Sequence, residues 1–279
     1  MSTELSDSNL MEKIEETAQW LWGQTQYRPS VAIVLGSGLG DYASQIQEAQ
    51  TIDYKDIPNF PISTVEGHKG KLIFGRIAGH EVMAMQGRFH YYEGYTMKQV
   101  TFPVRVMKEF GIKTLLLSNA AGGLNPSFHQ GDIMIIRDHI NFFPEHPLRG
   151  KNFPELGVRF PDMGNAYSPR LREIAKDIAC KHQLPVWEGV YIGSSGPTFE
   201  TPAEYKLFHH FGADASGMST VPEVIVARHG DMEVFAASVI TNCASFDIAK
   251  EVSHEEVQQT GAFAQQYMTV LFNELISEL

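Results

Sequence analysis

The chain has 279 residues, 43% of them hydrophobic, with 33 Asp and Glu against 22 Lys and Arg and a formal net charge of −11. There is ample material for a buried core, so global disorder is excluded, and the acidic balance excludes a nucleic-acid or anionic-membrane surface, which needs surplus Lys and Arg. Two cysteines, Cys180 and Cys243, cannot make a disulfide framework; with no signal-peptide pattern in MSTELSDSNL and no run near the ~20 apolar residues of a spanning helix, a cytoplasmic protein is expected.

No repeat, low-complexity tract or long linker divides the sequence, so one domain over 1–279 is expected. Leu10, Ile14, Thr17 and Leu21 share one helical face, with Ser8 placed to cap the start and Gly23 suited to the end. VAIVL (31–35) is a fully apolar run and predicts a buried strand that runs into Gly36-Ser37-Gly38-Leu39-Gly40. LIFGRI (72–77) and HEVMAM (80–85) flank Gly79 and predict a hairpin. Residues 97–110 are helix-like, with Pro103 as a kink or break. TLLLSNA (114–120) and DIMIIRD (132–138) predict further strands. Ser168-Pro169 opens a helix to about His182, and VWEGVYI (186–192) is strand-like. Three candidate capping boxes follow, Thr201/Glu204, Thr220/Glu223 and Ser253/Glu256. Between the last two lies the apolar strand VFAASVITN (234–242), and a final helix starts near 254. Alternating strands and helices define an α/β class, and the hairpin requires a mixed sheet.

Ligands of open α/β folds gather where strands end and helices begin. Ser37, Ala120, Ala121, Glu200, Ser219, Asn242 and His254 all fall at such ends. The glycine loop reads G-x-G-x-G, with Asp41 breaking the dinucleotide-binding spacing, and no Gly-Lys-Ser/Thr follows as in a P-loop. Its backbone can turn tightly enough to aim N–H groups and the Ser37 hydroxyl at an anion. Arg88 and His90 alternate with Phe89, so an extended chain puts both on one side, a fork and a second donor for phosphate oxygens. Glu93 either orients His90 or is exposed. Ser219 precedes a helix N-terminus, where free N–H groups attract anions. Glu200 and Asn242 offer a carboxylate and an amide to a heteroaromatic edge, with Phe199 placed to stack on its ring. His254 begins an H-E-x-x pattern, but position 258 is Gln, so no zinc site is expected.

Together, GSGLG (36–40), VEGH (65–68), QGRFHYYEGY (86–95), SNAAGGLNP (118–126), SGPTFET (195–201) and GMSTVPEVIVARH (217–229) resemble the trimeric purine nucleoside phosphorylase family, in motif order over nearly the whole chain. The resemblance implies a single-domain phosphorylase fold, with a mixed sheet curling toward a barrel inside a shell of helices. It implies phosphorolysis of inosine- and guanosine-type nucleosides to free base and (deoxy)ribose 1-phosphate. Inorganic phosphate is then a co-substrate, with no other cofactor and no metal. The phosphate site would be Ser37, His68, Arg88, His90, the Ala120 N–H and Ser219. Tyr92, Met218 and His254 would meet the ribose, and Phe199, Glu200 and Asn242 the purine. Asn242, Glu200 and His90 would carry the catalysis. Phe160 would enter a neighbouring subunit's site in a homotrimer. Two departures stand out: Ser216 replaces a usual aliphatic residue, and the stretch 243–247 is atypical.

Four rivals are weighed. A 5′-methylthioadenosine phosphorylase of the same fold typically has Asp at the position of Asn242, and a xanthosine-preferring relative shares the pocket. A dinucleotide-binding oxidoreductase fails on the glycine spacing, which Asp41 breaks. A non-catalytic nucleoside-binding protein would keep the pocket without the reaction.

Overall fold

The apolar run Val31–Leu35 is strand β1, buried at every position. Its alternate residues feed two separate cores. Ala32 and Val34 face one, while Val31, Ile33 and Leu35 face the other. The computed structural model describes residues 5–65, 69–244 and 253–279. On the first side of the sheet lie α1 (Leu10–Gln24), α2 (Met97–Phe110) and α5 (Val221–His229), and on the second α3 (Pro169–His182) and α6 (His254–Ser277). A sheet whose central strands are buried on both faces needs nearly continuous apolar runs there, which is what the sequence supplies.

The remaining strands are β2 (Gln47–Asp53), β3 (Lys71–Ile77), β4 (His80–Gln86), β5 (Thr114–Gly123), β6 (Ile133–Asn141), β7 (Val186–Gly193), β8 (Ala215–Gly217) and β9 (Glu233–Cys243). Among the described residues they form one mixed sheet in the order β2-β3-β4-β1-β5-β8-β7-β6-β9. β9 also pairs with β5, in parallel, while pairing antiparallel with β6. The segment from β5 to β9 therefore closes on itself as a barrel, and β1 to β4 extend from it. The expected mixed sheet curling toward a barrel is the fold found, and β3 and β4 are the expected antiparallel hairpin around Gly79.

Several local expectations are corrected. Ser8 does not cap α1; Asn9 occupies the cap position without a side-chain bond, and Ser8 pairs with Ser6 at 2.8 Å. Gly23 lies inside α1, which ends at Gln24. α2 runs through Pro103 without a break. Its burial along nearly its whole length outweighs the hydrogen bond that proline removes. β2 was not anticipated, because as a half-exposed edge strand it carries no hydrophobic pattern. The boxes at Thr201 and Ser253 form, capping α4 (Pro202–His210) and α6. The one at Thr220 does not: Thr220 has φ +67 and makes no cap bond, and Glu223 is used elsewhere.

Candidate active site

The ends of β1, β5, β8 and β9 open into a cavity of about 460 Å3. Eleven of the residues to which the resemblance assigned a site role line it, Ser37, Arg88, His90, Tyr92, Ala120, Phe199, Glu200, Met218, Ser219, Asn242 and His254, together with Glu93, Ala121 and Ser216. Phe160 does not; it stands 88% exposed on a loop of the single chain. His68 lies outside the described residues, as do positions 245–247 of the atypical stretch.

The glycine loop reaches the cavity by close packing. A Cβ on Gly36 would sit 2.7 Å from the Ser118 carbonyl oxygen. One on Gly38, whose φ is +74, would sit 2.8 Å from Gly261 Cα in α6. The loop therefore wedges between β5 and α6, and only glycine allows that approach. Ser37 is carried to the cavity wall as a result. A short 3-10 turn, Gly40–Gln45, follows in place of a full helix.

Arg88 is 1% exposed, and its fork is spoken for. Nε and Nη2 donate to the Glu223 carboxylate at 3.2 and 3.0 Å, and Nη1 donates to the Ser118 carbonyl at 2.6 Å. The expected two-oxygen grip on an anion thus faces Glu223 instead. Sequence gave Glu223 to a helix cap, and only the chain crossing 135 positions brings it here.

Glu93 orients His90, settling the alternative that sequence left open. It accepts from the His90 backbone N–H at 2.7 Å and from Nδ1 at 3.2 Å, and also from Thr64 N–H and Oγ1 at 2.9 and 2.7 Å. Burial alone would push its carboxyl up, but the bonds from His90 and Thr64 outweigh that and hold it at about 2. An ionised carboxylate only accepts, so the proton on the His90 ring sits on Nδ1 and Nε2 keeps its lone pair. Burial lowers the His90 pKa, with the bond from Glu93 opposing it, and so favours the neutral ring. The ring stacks on Tyr92 with centroids 4.7 Å apart and 13° between planes.

Ser219 is held by a buried network. Its N–H donates to the Tyr191 hydroxyl at 3.4 Å, and its hydroxyl lies 3.2 Å from that of Thr220. Asn119 Nδ2 in turn donates to Thr220 Oγ1 at 2.8 Å. Thr220 takes a left-handed backbone that costs a non-glycine residue of order 1–3 kcal/mol, and this bond helps fix it.

At the other end, Glu200 immediately precedes the α4 cap, and Asn242 lies near the end of β9, paired with Gly122 of β5. Burial raises the Glu200 pKa, and a backbone bond and the Ser216 hydroxyl partly oppose the rise. Behind both residues stands Tyr205, with its hydroxyl pKa pushed up to about 12 by burial and by the Glu200 charge. Sequence reasoning missed Tyr205, Tyr191 and Asn119, because a buried tyrosine or asparagine carries no local mark of its partner. His254, the first residue of α6, lies with Nε2 3.0 Å from Gln258 Nε2.

Residues 30–277 match the sequence model of the phosphorylase superfamily. The chain is 55% identical over 247 residues to purine nucleoside phosphorylase 1 of Geobacillus stearothermophilus, covering 88% of this chain and 90% of that one. It is 49% identical over 275 residues to the Bos taurus purine nucleoside phosphorylase, covering 96% and 95%. The Schistosoma mansoni purine nucleoside phosphorylase in complex with inosine superposes with a TM-score of 0.91 at 41% identity, over 96% of this chain and 97% of that one. The chain belongs to the phosphorylase superfamily, as one of its purine nucleoside phosphorylases.

Proposed function

We propose that the cavity carries out phosphorolysis of 6-oxopurine nucleosides, yielding free base and (deoxy)ribose 1-phosphate. The observation that carries this reading is that the residues proposed for an anion, a sugar and a base all line one cavity. Ser37, Arg88, His90, the Ala120 N–H and Ser219 are the groups proposed for the anion, and Phe199, Glu200 and Asn242 those for the base. Tyr92, Met218 and His254 are those proposed for the ribose.

The chemistry follows from charge. As the glycosidic bond breaks, the sugar becomes cationic and the purine leaves as an anion. A phosphate anion beneath the sugar stabilises the cation and then attacks the anomeric carbon. The electron pair of the broken bond goes to the purine nitrogen, where the Asn242 amide donates while Glu200 holds the base. Holding both reactants together supplies much of the remaining acceleration. With Nδ1–H committed to Glu93, the neutral His90 ring has an Nε2 acceptor for the hydroxyl of a protonated phosphate. The Glu223 carboxylate neutralises Arg88, so Ser37, Ser219 and the aligned N–H groups take a larger share of the anion than sequence assigned them. The scheme needs inorganic phosphate as co-substrate and no other cofactor.

The protein acts as a homotrimer in which Phe160 covers a neighbour's sugar site, with His68 closing over the phosphate. Its place is purine salvage in the cytoplasm; two free cysteines suit a reducing compartment. Incubation with inosine, with and without phosphate, tests the reaction. Hypoxanthine is expected only with phosphate, and faster from inosine than adenine from adenosine. Equal release without phosphate would mean a hydrolase.

A further inference from the structure

Ser216 lies in β8, opposite Gly122 of β5, and lines the cavity. It is 2% exposed, and its Oγ has no hydrogen-bond partner within 3.5 Å among the described residues, Glu200 lying close but beyond that reach. Leaving a buried hydroxyl unpaired is costly, and such a group calls for a partner from outside the protein. Its place says which partner. A Cβ built on Gly122 would be 3.5 Å from Ser216 Oγ and 3.2 Å from Asn242 Nδ2, so hydroxyl and carboxamide border the same small space. The hydroxyl also lies near enough to Glu200 to favour its ionised form. Ser216 thus stands beside the two groups assigned to the base.

We propose that Ser216 is a third polar contact to the purine ring, its hydroxyl taking a ring or exocyclic heteroatom as the partner it lacks in the free protein. The assignment rests on the proposed phosphorolysis of purine nucleosides. Glu200 can only accept while ionised, whereas a hydroxyl both donates and accepts. Ser216 therefore adds affinity for the base without demanding one pattern on its edge. A group built to hydrogen-bond its substrate discriminates by being left unpaired when the partner is missing.

The test compares the unaltered protein with Ser216→Ala and Ser216→Thr. Three quantities are read: hypoxanthine affinity by calorimetry, kcat/KM for inosine, and the KM for phosphate. Ser216→Ala is expected to weaken hypoxanthine binding and lower kcat/KM by about tenfold each, the scale of one hydrogen bond. The phosphate KM is expected to stay within about twofold, and Ser216→Thr, which keeps the hydroxyl, to recover most of the loss. A role in packing alone would leave hypoxanthine affinity unchanged in Ser216→Ala, and that result overturns the assignment while leaving phosphorolysis intact. If the unaltered protein neither binds hypoxanthine nor cleaves inosine, both readings fall together.

Discussion

At the scale of single residues, two buried pairs border the cavity, Arg88 with Glu223 and His90 with Glu93. Arg88 and Glu223 are both nearly free of solvent. Removing one member leaves the other charged and unpaired in the interior, which costs about 3–5 kcal/mol. Glu223→Gln is accordingly expected to lower the apparent melting temperature by roughly 10 °C in a thermal scan, given about 2–4 °C per kcal/mol for a chain of this size. An unchanged melting temperature would show that Arg88 is satisfied without Glu223. The His90–Glu93 pair makes a pH prediction. Glu93 titrates at about 2 in the folded protein against an ordinary 4.5, so its stabilising contribution is complete above pH 4.5 and is lost as pH falls toward 2. The lowered His90 pKa acts in the same sense: the contribution is present above the ordinary 6.5 and declines as pH falls through the folded value. Glu93→Gln should therefore flatten the dependence of the urea midpoint on pH between 4.5 and 2. A slope equal to that of the unaltered protein would assign the acid sensitivity to other carboxylates.

At the scale of elements, the site depends on two close approaches. The glycine loop after β1 meets α6 through Gly38 and Gly261, which touch backbone to backbone. Gly38→Ala adds a Cβ both at a left-handed φ and against α6, and is expected to cost about 2–3 kcal/mol. Because Ser37 moves with the loop, the phosphate KM should rise as well. Thr201→Ala serves as a contrast: it removes the α4 cap bond at 3.2 Å and should cost only about 1 kcal/mol. Equal losses of stability for the two variants, measured by chemical denaturation, would argue against the loop contact as the tighter constraint. Element boundaries such as β1 and α3 were legible because apolar runs, caps and proline act locally. β2 was not legible, since an edge strand is paired by its neighbour and not patterned by its own side chains.

At the scale of the whole molecule, several large apolar side chains stand exposed on the single chain. Phe160 and its neighbour Val158 stand in solvent, and Phe142, Leu207 and Phe211 are also exposed, with Phe142 packed against Phe208 and Phe211. In the proposed trimer, Phe160→Ala should raise the nucleoside KM about tenfold while sedimentation still reports a trimer. A KM equal to that of the unaltered protein would place Phe160 outside any site. The net charge of −11 belongs to the outer surface and does not oppose an anion site. A small pocket of oriented N–H groups and hydroxyls sets its own local potential.

The sequence by itself determined the alternation of elements, the two-sided burial of the central strands and which polar residues stand at strand ends. Those properties are written in short windows, where periodicity, capping and glycine act over a few positions. Only the tertiary structure decided how those residues are spent. Arg88 turned to Glu223, Thr220 left its cap for Asn119, Glu93 took hold of His90, and Ser216 was left unpaired beside Glu200 and Asn242. Arg88 and Glu223 stand 135 positions apart and Asn119 and Thr220 stand 101 apart, and no local pattern encodes such contacts; Glu93 and His90 are three apart, and there the sequence left open which of two local fates the fold selects.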